Sequence, residues 1–140
     1  MSNFLTANYH AHTFRCQHAV GNERDYIEAA IKMGIKEFGF SDHIPCPFRD
    51  GYISHIRMTM DEAPEYVKTI RALADEYQND IRIYVGFEAE YIREFYKEQM
   101  NMVQALGVDY LIMGQHFLLS EERGPYMGTP TEEESRIRDY

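Results

Sequence analysis

The sequence has few cysteines and lacks long apolar runs and an export signal. Its two cysteines, Cys16 and Cys46, form no CxxC pair and indicate no disulfide framework, so a reducing compartment is expected. No apolar run approaches the roughly 18 residues of a membrane span. The first residues also lack the basic segment and apolar stretch of a secretory signal. These absences together predict a soluble, cytoplasmic chain with no membrane partner.

Positive charge is also scarce. Lysine and arginine number 14 against 23 aspartates and glutamates, which gives a formal net charge of −9. This balance argues against the broad basic face of a nucleic-acid or membrane-surface binder. A small anionic substrate remains compatible with it, because bound divalent cations can reverse the local potential.

The 140 residues, 44% of them hydrophobic, are enough for one globular domain with a buried core. Periodicity and capping signals predict that strands and helices alternate. Strands are predicted at 4–10, 38–40, 81–87 and 110–113, and helices at 22–33, from near 59 to 77, and 93–106, with another helix opening near 131. Such alternation is typical of a parallel α/β sheet of about four βα units.

Five of the six histidines and one glutamate follow the predicted strands at their carboxyl ends. They are His10, His12, His18, His43, Glu88 and His116. Each has an ordinary alternative, such as an interior or loop histidine that is hydrogen-bonded, or a salt bridge for the glutamate. Because the carboxyl ends of parallel strands meet at one edge, the six together predict a site for zinc, iron or manganese.

Spacing and burial add detail to this prediction. His10 and His12 are two apart on a predicted strand, so both side chains leave the same face and can reach one metal. Asp42 precedes His43 and could orient it, or could cap the turn that follows. Glu88 ends an apolar strand, where a buried carboxylate is costly unless it is paired or bound to a cation.

The order of these residues resembles the polymerase-and-histidinol-phosphatase superfamily, known as PHP. The match runs from residue 8 to residue 118, and its flanking residues are most similar to the PHP-type histidinol-phosphatases. The matching segments are YHAHT at 9–13, CQHA at 16–19, FSDH at 40–43, RMTMDE at 57–62, GFEAEY at 86–91 and GQHF at 114–117.

The resemblance implies a distorted, seven-stranded, TIM-like βα barrel with up to three divalent metal ions. Residues 1–140 would be the N-terminal part of a single PHP domain, a truncated barrel. The implied ligands are His10 and His12 for the first metal, Glu88 bridging the first and second, His116 for the second, and His18 with His43 for the third. The implied reaction is the hydrolysis of L-histidinol phosphate to L-histidinol and phosphate in histidine biosynthesis.

Three residues are candidates for catalysis: Glu88 and His43 within the metal cluster, and Arg15 as a phosphate clamp. The alternative for Arg15 is a solvent-facing loop arginine. His55 and Arg57, on the loop 44–58, are open to the same two interpretations.

The sequence departs from the family pattern at three places. Asn8 and Glu90 stand where the family more often has aspartate, and no histidine follows His116 to supply the later ligands. An open half-barrel would expose a sheet edge, so we expect the missing C-terminal half or self-association to cover it. If the chain were complete, we expect poor metal retention at the third site and little phosphatase activity.

Three alternatives remain open from the sequence. One is another PHP phosphoesterase, acting on a nucleotide or as a polymerase-associated exonuclease, although the acidic charge balance disfavours nucleic acid. A second is the amidohydrolase barrel, whose metal-bridging lysine these strands do not offer. The third is an inactive fragment that binds metal without turnover.

Overall fold

The structure, a computed structural model, describes residues 5–117, 119–124 and 126–127. Its strands are β1 (Ala7–Asn8), β2 (Glu37–His43), β3 (Arg82–Ala89) and β4 (Tyr110–Met113), and its helices are α1 (Glu23–Lys32), α2 (Ala63–Glu76) and α3 (Tyr96–Leu106). The strands are all parallel and lie in the order β1-β2-β3-β4. The predicted α/β class and the four βα-type strands are confirmed.

The first two helices begin and end where local chemistry favours it. Asn22 and Asp25 form a capping box at the start of α1, and Gly34 follows its end with a positive φ of 80°. Before α2, the Glu62 carboxylate instead accepts hydrogen bonds from the backbone and hydroxyl of Thr59. The helix therefore begins only at Ala63, with a proline in the first turn, where its missing N–H is tolerated.

Several predicted boundaries were wrong. β1 pairs with β2 through only two residues, whereas the sequence predicted a strand over 4–10. β2 continues to His43, so the tripeptide 41–43 lies inside the strand and not after it. α3 begins at Tyr96 and not at 93. The helix predicted near 131 lies outside the described residues.

The hydrophobic core lies between one face of the sheet and the helices. Alternate residues of β2 and β3 point to this face, as the period of two requires. The buried residues there include Phe38, Phe40, Val85 and Phe87 from the strands and Ile27, Tyr66 and Ile70 from the helices. This packing fixes the strands, and therefore the positions of the side chains at their carboxyl ends.

The opposite face of the sheet is concave and holds tyrosines. The hydroxyl of Tyr110 on β4 donates to the carbonyl of Tyr9, just after β1, at 2.7 Å. The two outer strands of the sheet therefore approach each other on this face. Two glycines make room for this side chain, because a Cβ at Gly39 would overlap the Tyr110 hydroxyl and one at Gly86 would lie 2.6 Å from the Tyr110 carbonyl oxygen. The sheet therefore curves as part of a barrel does.

Both outer strands have one edge without a partner among the described residues. On β4, Leu111 is 40% exposed and Met113 is 72% exposed on the face that a helix would cover. In the part of the chain that the structure describes, no helix combines the length and apolar character needed to cross a membrane.

Candidate metal centre

Glu88 lies at the centre of a cluster of imidazoles. Its Oε2 lies 3.2 Å from His10 Nε2, 3.3 Å from His12 Nε2 and 3.2 Å from His43 Nδ1. Its Oε1 lies 3.3 Å from His116 Nε2. One buried carboxylate at the carboxyl end of β3 thus contacts four histidines that come from the carboxyl ends of the other three strands.

His18 joins the same cluster from the loop after β1. Its ring centre is 4.9 Å from that of His12 and 5.3 Å from that of His43. Its Nδ1 lies 2.6 Å from the carbonyl oxygen of Cys16, and this contact fixes the orientation of the ring. Cys16 is the last residue of a short 3-10 helix, Phe14–Cys16. The structure therefore brings together all six residues that the sequence singled out as metal ligands.

The potential ligand atoms form overlapping groups within which all atoms lie within 4.8 Å of one another. Three of these groups are His10, His12 and Glu88; His43, Glu88 and His116; and His12, His18 and His43. The first matches the set expected for the first metal. The position of His43 differs from the expectation. The family resemblance implied that His43 binds only the third metal, whereas in the structure it also contacts Glu88 beside His116.

Asp42 holds the loop that carries the first two histidines. Its carboxylate accepts hydrogen bonds from the backbone N–H of Thr13 and from the Thr13 hydroxyl, the latter at 2.5 Å. It also lies 4.0 Å from His12 Nδ1. The sequence suggested that Asp42 orients His43, but neighbouring residues of a strand point to opposite faces, and Asp42 orients the segment of His12 instead.

Cys16 is a contact of the cluster that sequence reasoning missed. Its Sγ accepts the backbone N–H of His43 at 3.2 Å and lies 3.4 Å from His12 Nδ1. Burial raises the pKa of the Cys16 thiol, so the group stays neutral between the two histidines. The only signal in the sequence was its position two residues before His18.

The electrostatics of the cluster suit a cation. Burial alone would raise the pKa of Glu88, yet the surrounding imidazoles, His12 above all, lower it to about 2. Glu88 Oε2 and His43 Nδ1 are both buried and have no hydrogen-bond partner among the described atoms. A cation that contacts both atoms would satisfy them, and carboxylate with imidazole is a ligand set that divalent transition metals accept.

We expect the metal-free protein to lose stability as the pH falls from about 6.5 towards 3. Burial, with Arg57 and His12 nearby, lowers the pKa of His43 to about 3, so the folded state keeps this imidazole neutral while the unfolded chain protonates it. Because the unfolded state then binds more protons, the free energy of unfolding should fall by up to about 1.4 kcal/mol per pH unit. Glu88 adds its own loss only below about pH 4, where the unfolded carboxyl becomes protonated.

Urea unfolding in the presence of a chelator, at pH 7.5, 6 and 5, would measure this dependence. His43→Gln should flatten it, because the variant has no imidazole to protonate at this position. A free energy of unfolding that stays constant from pH 7.5 to pH 5 in the parent chain would contradict the expectation.

Arg15 does not join the cluster. Its guanidinium pairs with Glu23 and, at 2.7 Å, with Glu65, and it lies over the ring of Phe14. The side chain is only 9% exposed, so it is not the solvent-facing arginine that was the alternative. The phosphate-clamp role stays a prediction, and this pairing opposes it because a phosphate would have to displace two carboxylates.

The two residues of the loop 44–58 have different environments. The Arg57 guanidinium is fully buried and pairs with Glu90 and, at 3.0 Å, with Glu121. His55 is exposed, and its backbone N–H donates to Glu121 at 3.3 Å. Neither side chain belongs to the groups of potential ligands found among the described residues.

The PHP domain family model matches residues 8–140 of this chain. The chain belongs to the PHP domain family. The resemblance inferred from the sequence motifs is thereby confirmed.

Relatives in the PHP family carry the name histidinol-phosphatase. A Deinococcus radiodurans protein named probable histidinol-phosphatase is 32% identical over 109 residues, covering 78% of this chain and 41% of that protein. The Bacillus subtilis histidinol-phosphatase is 31% identical over 118 residues, covering 80% of this chain and 44% of that protein.

A solved structure shares the fold. The histidinol phosphate phosphatase of Lactococcus lactis, crystallised with zinc, L-histidinol and phosphate, aligns with a TM-score of 0.67 at 23% identity. The alignment covers 81% of this chain and 41% of that one. This PHP chain therefore spans less than half the length of the three proteins it is compared with.

Proposed function

We propose that this protein provides the metal-binding half of a histidinol-phosphatase that hydrolyses L-histidinol phosphate to L-histidinol and phosphate. The observation that carries the proposal is the single carboxylate of Glu88 in contact with four imidazoles. The names of the relatives support it, as does the zinc, L-histidinol and phosphate bound in the Lactococcus lactis structure.

The six clustered side chains would hold divalent metal ions, up to three in the complete domain. Zinc, iron and manganese all accept this set of imidazole and carboxylate ligands. When bound, such ions stabilise charge on phosphate oxygens and make water a stronger nucleophile near neutral pH. The lowered pKa of Glu88 keeps the central carboxylate ionised, so it can bridge two cations.

The exposure of the histidines indicates where a phosphate would enter. The side chain of His10 is 50% exposed and that of His116 is 23% exposed, whereas His43 is buried. His18 is exposed as well. We therefore infer that the phosphate approaches from the side of His10, His18 and His116, while His12 and His43 hold the inner side of the cluster. Asp42 and Thr13 keep the segment of His12 in place during turnover.

The experiment compares metal content and phosphate release in His10→Ala and His55→Ala. His10→Ala removes a group in contact with Glu88, so we expect less bound metal by elemental analysis and slower release of phosphate from L-histidinol phosphate. His55→Ala is the control, because its side chain lies outside the cluster, and it should match the parent chain. Unchanged metal content in His10→Ala would remove this residue from the site.

The same assay separates the alternatives. A nucleoside monophosphate tested beside L-histidinol phosphate would reveal a PHP phosphoesterase of different specificity. If the chain binds metal but releases no phosphate from either compound, its role is limited to metal binding.

We also propose that residues 1–140 are the N-terminal part of one PHP domain, and that the rest of that domain covers the free edges of β1 and β4. A groove of about 510 Å³ lies beside β1, and its apolar lining includes Leu5, Met33 and Phe38. An uncovered parallel sheet edge of this kind favours association.

Light scattering and binding of a hydrophobic dye would test this arrangement. A monomer of the 140-residue chain that binds the dye supports the proposal that the edges are open and that the rest of the domain covers them. A dimer without dye binding would show that a second copy covers them instead, and a monomer without dye binding would show that the edges are not exposed.

A further inference from the structure

Glu90 is a buried carboxylate next to the backbone N–H and the imidazole Nδ1 of His116. It follows β3 two residues after Glu88, and its side chain is fully buried. Its Oε1 accepts the backbone N–H of His116 and, at 3.0 Å, that of Phe117. Glu90 thus holds the backbone of the segment that brings His116 to the cluster.

The imidazole of His116 lies between two carboxylates. Its Nε2 is 3.3 Å from Glu88 Oε1, and its Nδ1 is 3.4 Å from Glu90 Oε1. Nδ1 is buried and has no hydrogen-bond partner among the described residues, so Glu90 is the carboxylate available to it with a small rotation of the ring. A carboxylate only accepts hydrogen bonds, so each of the two favours the imidazole proton on the nitrogen that faces it, and a cation placed between Nε2 and Glu88 would leave the proton to Nδ1.

Glu90 is itself held in place. Its second oxygen pairs with Arg57, whose guanidinium also donates to the carbonyl of Ile44 at 3.2 Å and to Glu121 at 3.0 Å. These contacts join the loop 44–58, the end of β3, residues 116–117 and Glu121. The Glu90 carboxylate therefore cannot follow the imidazole if the ring turns, and the ring must adapt to the carboxylate.

We propose that Glu90 is a positioning residue for His116. It holds the segment of His116 through two backbone N–H groups and faces Nδ1 of the ring, so that the imidazole would present Nε2 to a cation shared with Glu88. The inference rests on the proposed function in one respect, namely that Nε2 of His116 would be a metal-ligand atom. A partner at the second nitrogen is how proteins commonly fix the orientation and tautomer of a ligating histidine.

The competing explanation is that Glu90 only neutralises Arg57. Glu121 provides the matched control, because it also pairs with Arg57 and its contacts are with the loop 44–58 and not with His116. If charge balance were the only role of Glu90, Glu90→Gln and Glu121→Gln would have the same effect on His116.

The test is zinc affinity, measured by titration of the metal-free chain. Loss of the partner at the second nitrogen of a ligating histidine costs about 10–100-fold in metal affinity, so we expect this weakening in Glu90→Gln. Glu90→Asp keeps the carboxylate and should weaken zinc binding less, and Glu121→Gln should match the parent chain.

Several outcomes would overturn the proposal. Parent-like zinc affinity in a folded Glu90→Gln would do so. An equal weakening in Glu121→Gln would reduce Glu90 to charge balance. If Glu90→Gln does not fold, Arg57→Gln is compared with the double variant Arg57→Gln and Glu90→Gln, which leaves no buried arginine unpaired, and equal zinc affinity in these two would overturn the proposal.

The titration needs no turnover, so its result is separate from the proposed function. Parent-like zinc affinity in Glu90→Gln, with a parent chain that releases phosphate, would reject the role of Glu90 and keep the proposed function. The expected weakening, with a parent chain that binds zinc and releases no phosphate, would leave the role of Glu90 intact and reject the proposed function.

Discussion

Glu88→Gln is expected to reduce bound metal to background and to slow phosphate release more than about 100-fold, since even the outer partners of metal ligands contribute 10–100-fold. The carboxylate contacts four imidazoles through two oxygens, and three of those contacts converge on Oε2. Glutamine has the same shape but no charge. Its amide group would point N–H donors at the place where cations are expected to bind.

Elemental analysis after loading with zinc, iron or manganese measures this effect. Glu98→Gln is a suitable control, because that glutamate lies on the exposed side of α3 and pairs with Arg49. The control should keep the metal content of the parent chain. An unchanged metal-to-protein ratio in Glu88→Gln would remove the central residue from the proposed site.

Gly114→Ala is expected to weaken zinc binding by about 10–100-fold, an effect of the size seen when the support of a metal ligand is removed. A Cβ at this position would lie 2.9 Å from both Cγ and Cδ of Glu88 and closer still to Oε1. Four imidazoles surround the carboxylate, so it cannot move aside without losing contacts with them. The added methyl group therefore displaces the centre of the cluster.

Gly86→Ala is the matched control for this variant. A Cβ there would meet the backbone oxygen and the ring of Tyr110 and not Glu88, so it should loosen the pairing of β3 with β4. Overpacking of this kind costs typically about 1–3 kcal/mol of stability. We expect Gly86→Ala to lower the melting temperature while its folded fraction keeps zinc affinity. Gly114→Ala should show the weaker zinc binding in its folded fraction, and parent-like zinc affinity in that variant would contradict the collision with Glu88.

Regular elements could be predicted from the sequence where local signals agree. β4 has the predicted bounds, and α1 lies within one residue of the predicted range, because Asn22 supplies a cap and a glycine follows the end. β1 was overestimated, because only Ala7 and Asn8 pair with β2, and the backbone on either side makes isolated hydrogen bonds at Thr6 and Ala11. The late start of α2 depends on Glu62, which bonds back to Thr59 and leaves the helix to begin after it.

The amino-acid sequence by itself determined which residues converge. Histidines and a glutamate at the ends of parallel strands must meet at one edge, whatever the details of packing. Only the tertiary structure decided which residues are partners. Glu88 contacts four imidazoles at the centre of the cluster, Asp42 accepts hydrogen bonds from Thr13, and Glu90 accepts the backbone N–H of His116. These contacts join residues far apart in the chain, and they depend on side-chain rotamers and on the loop that buries Arg57, neither of which has a local signature in the sequence.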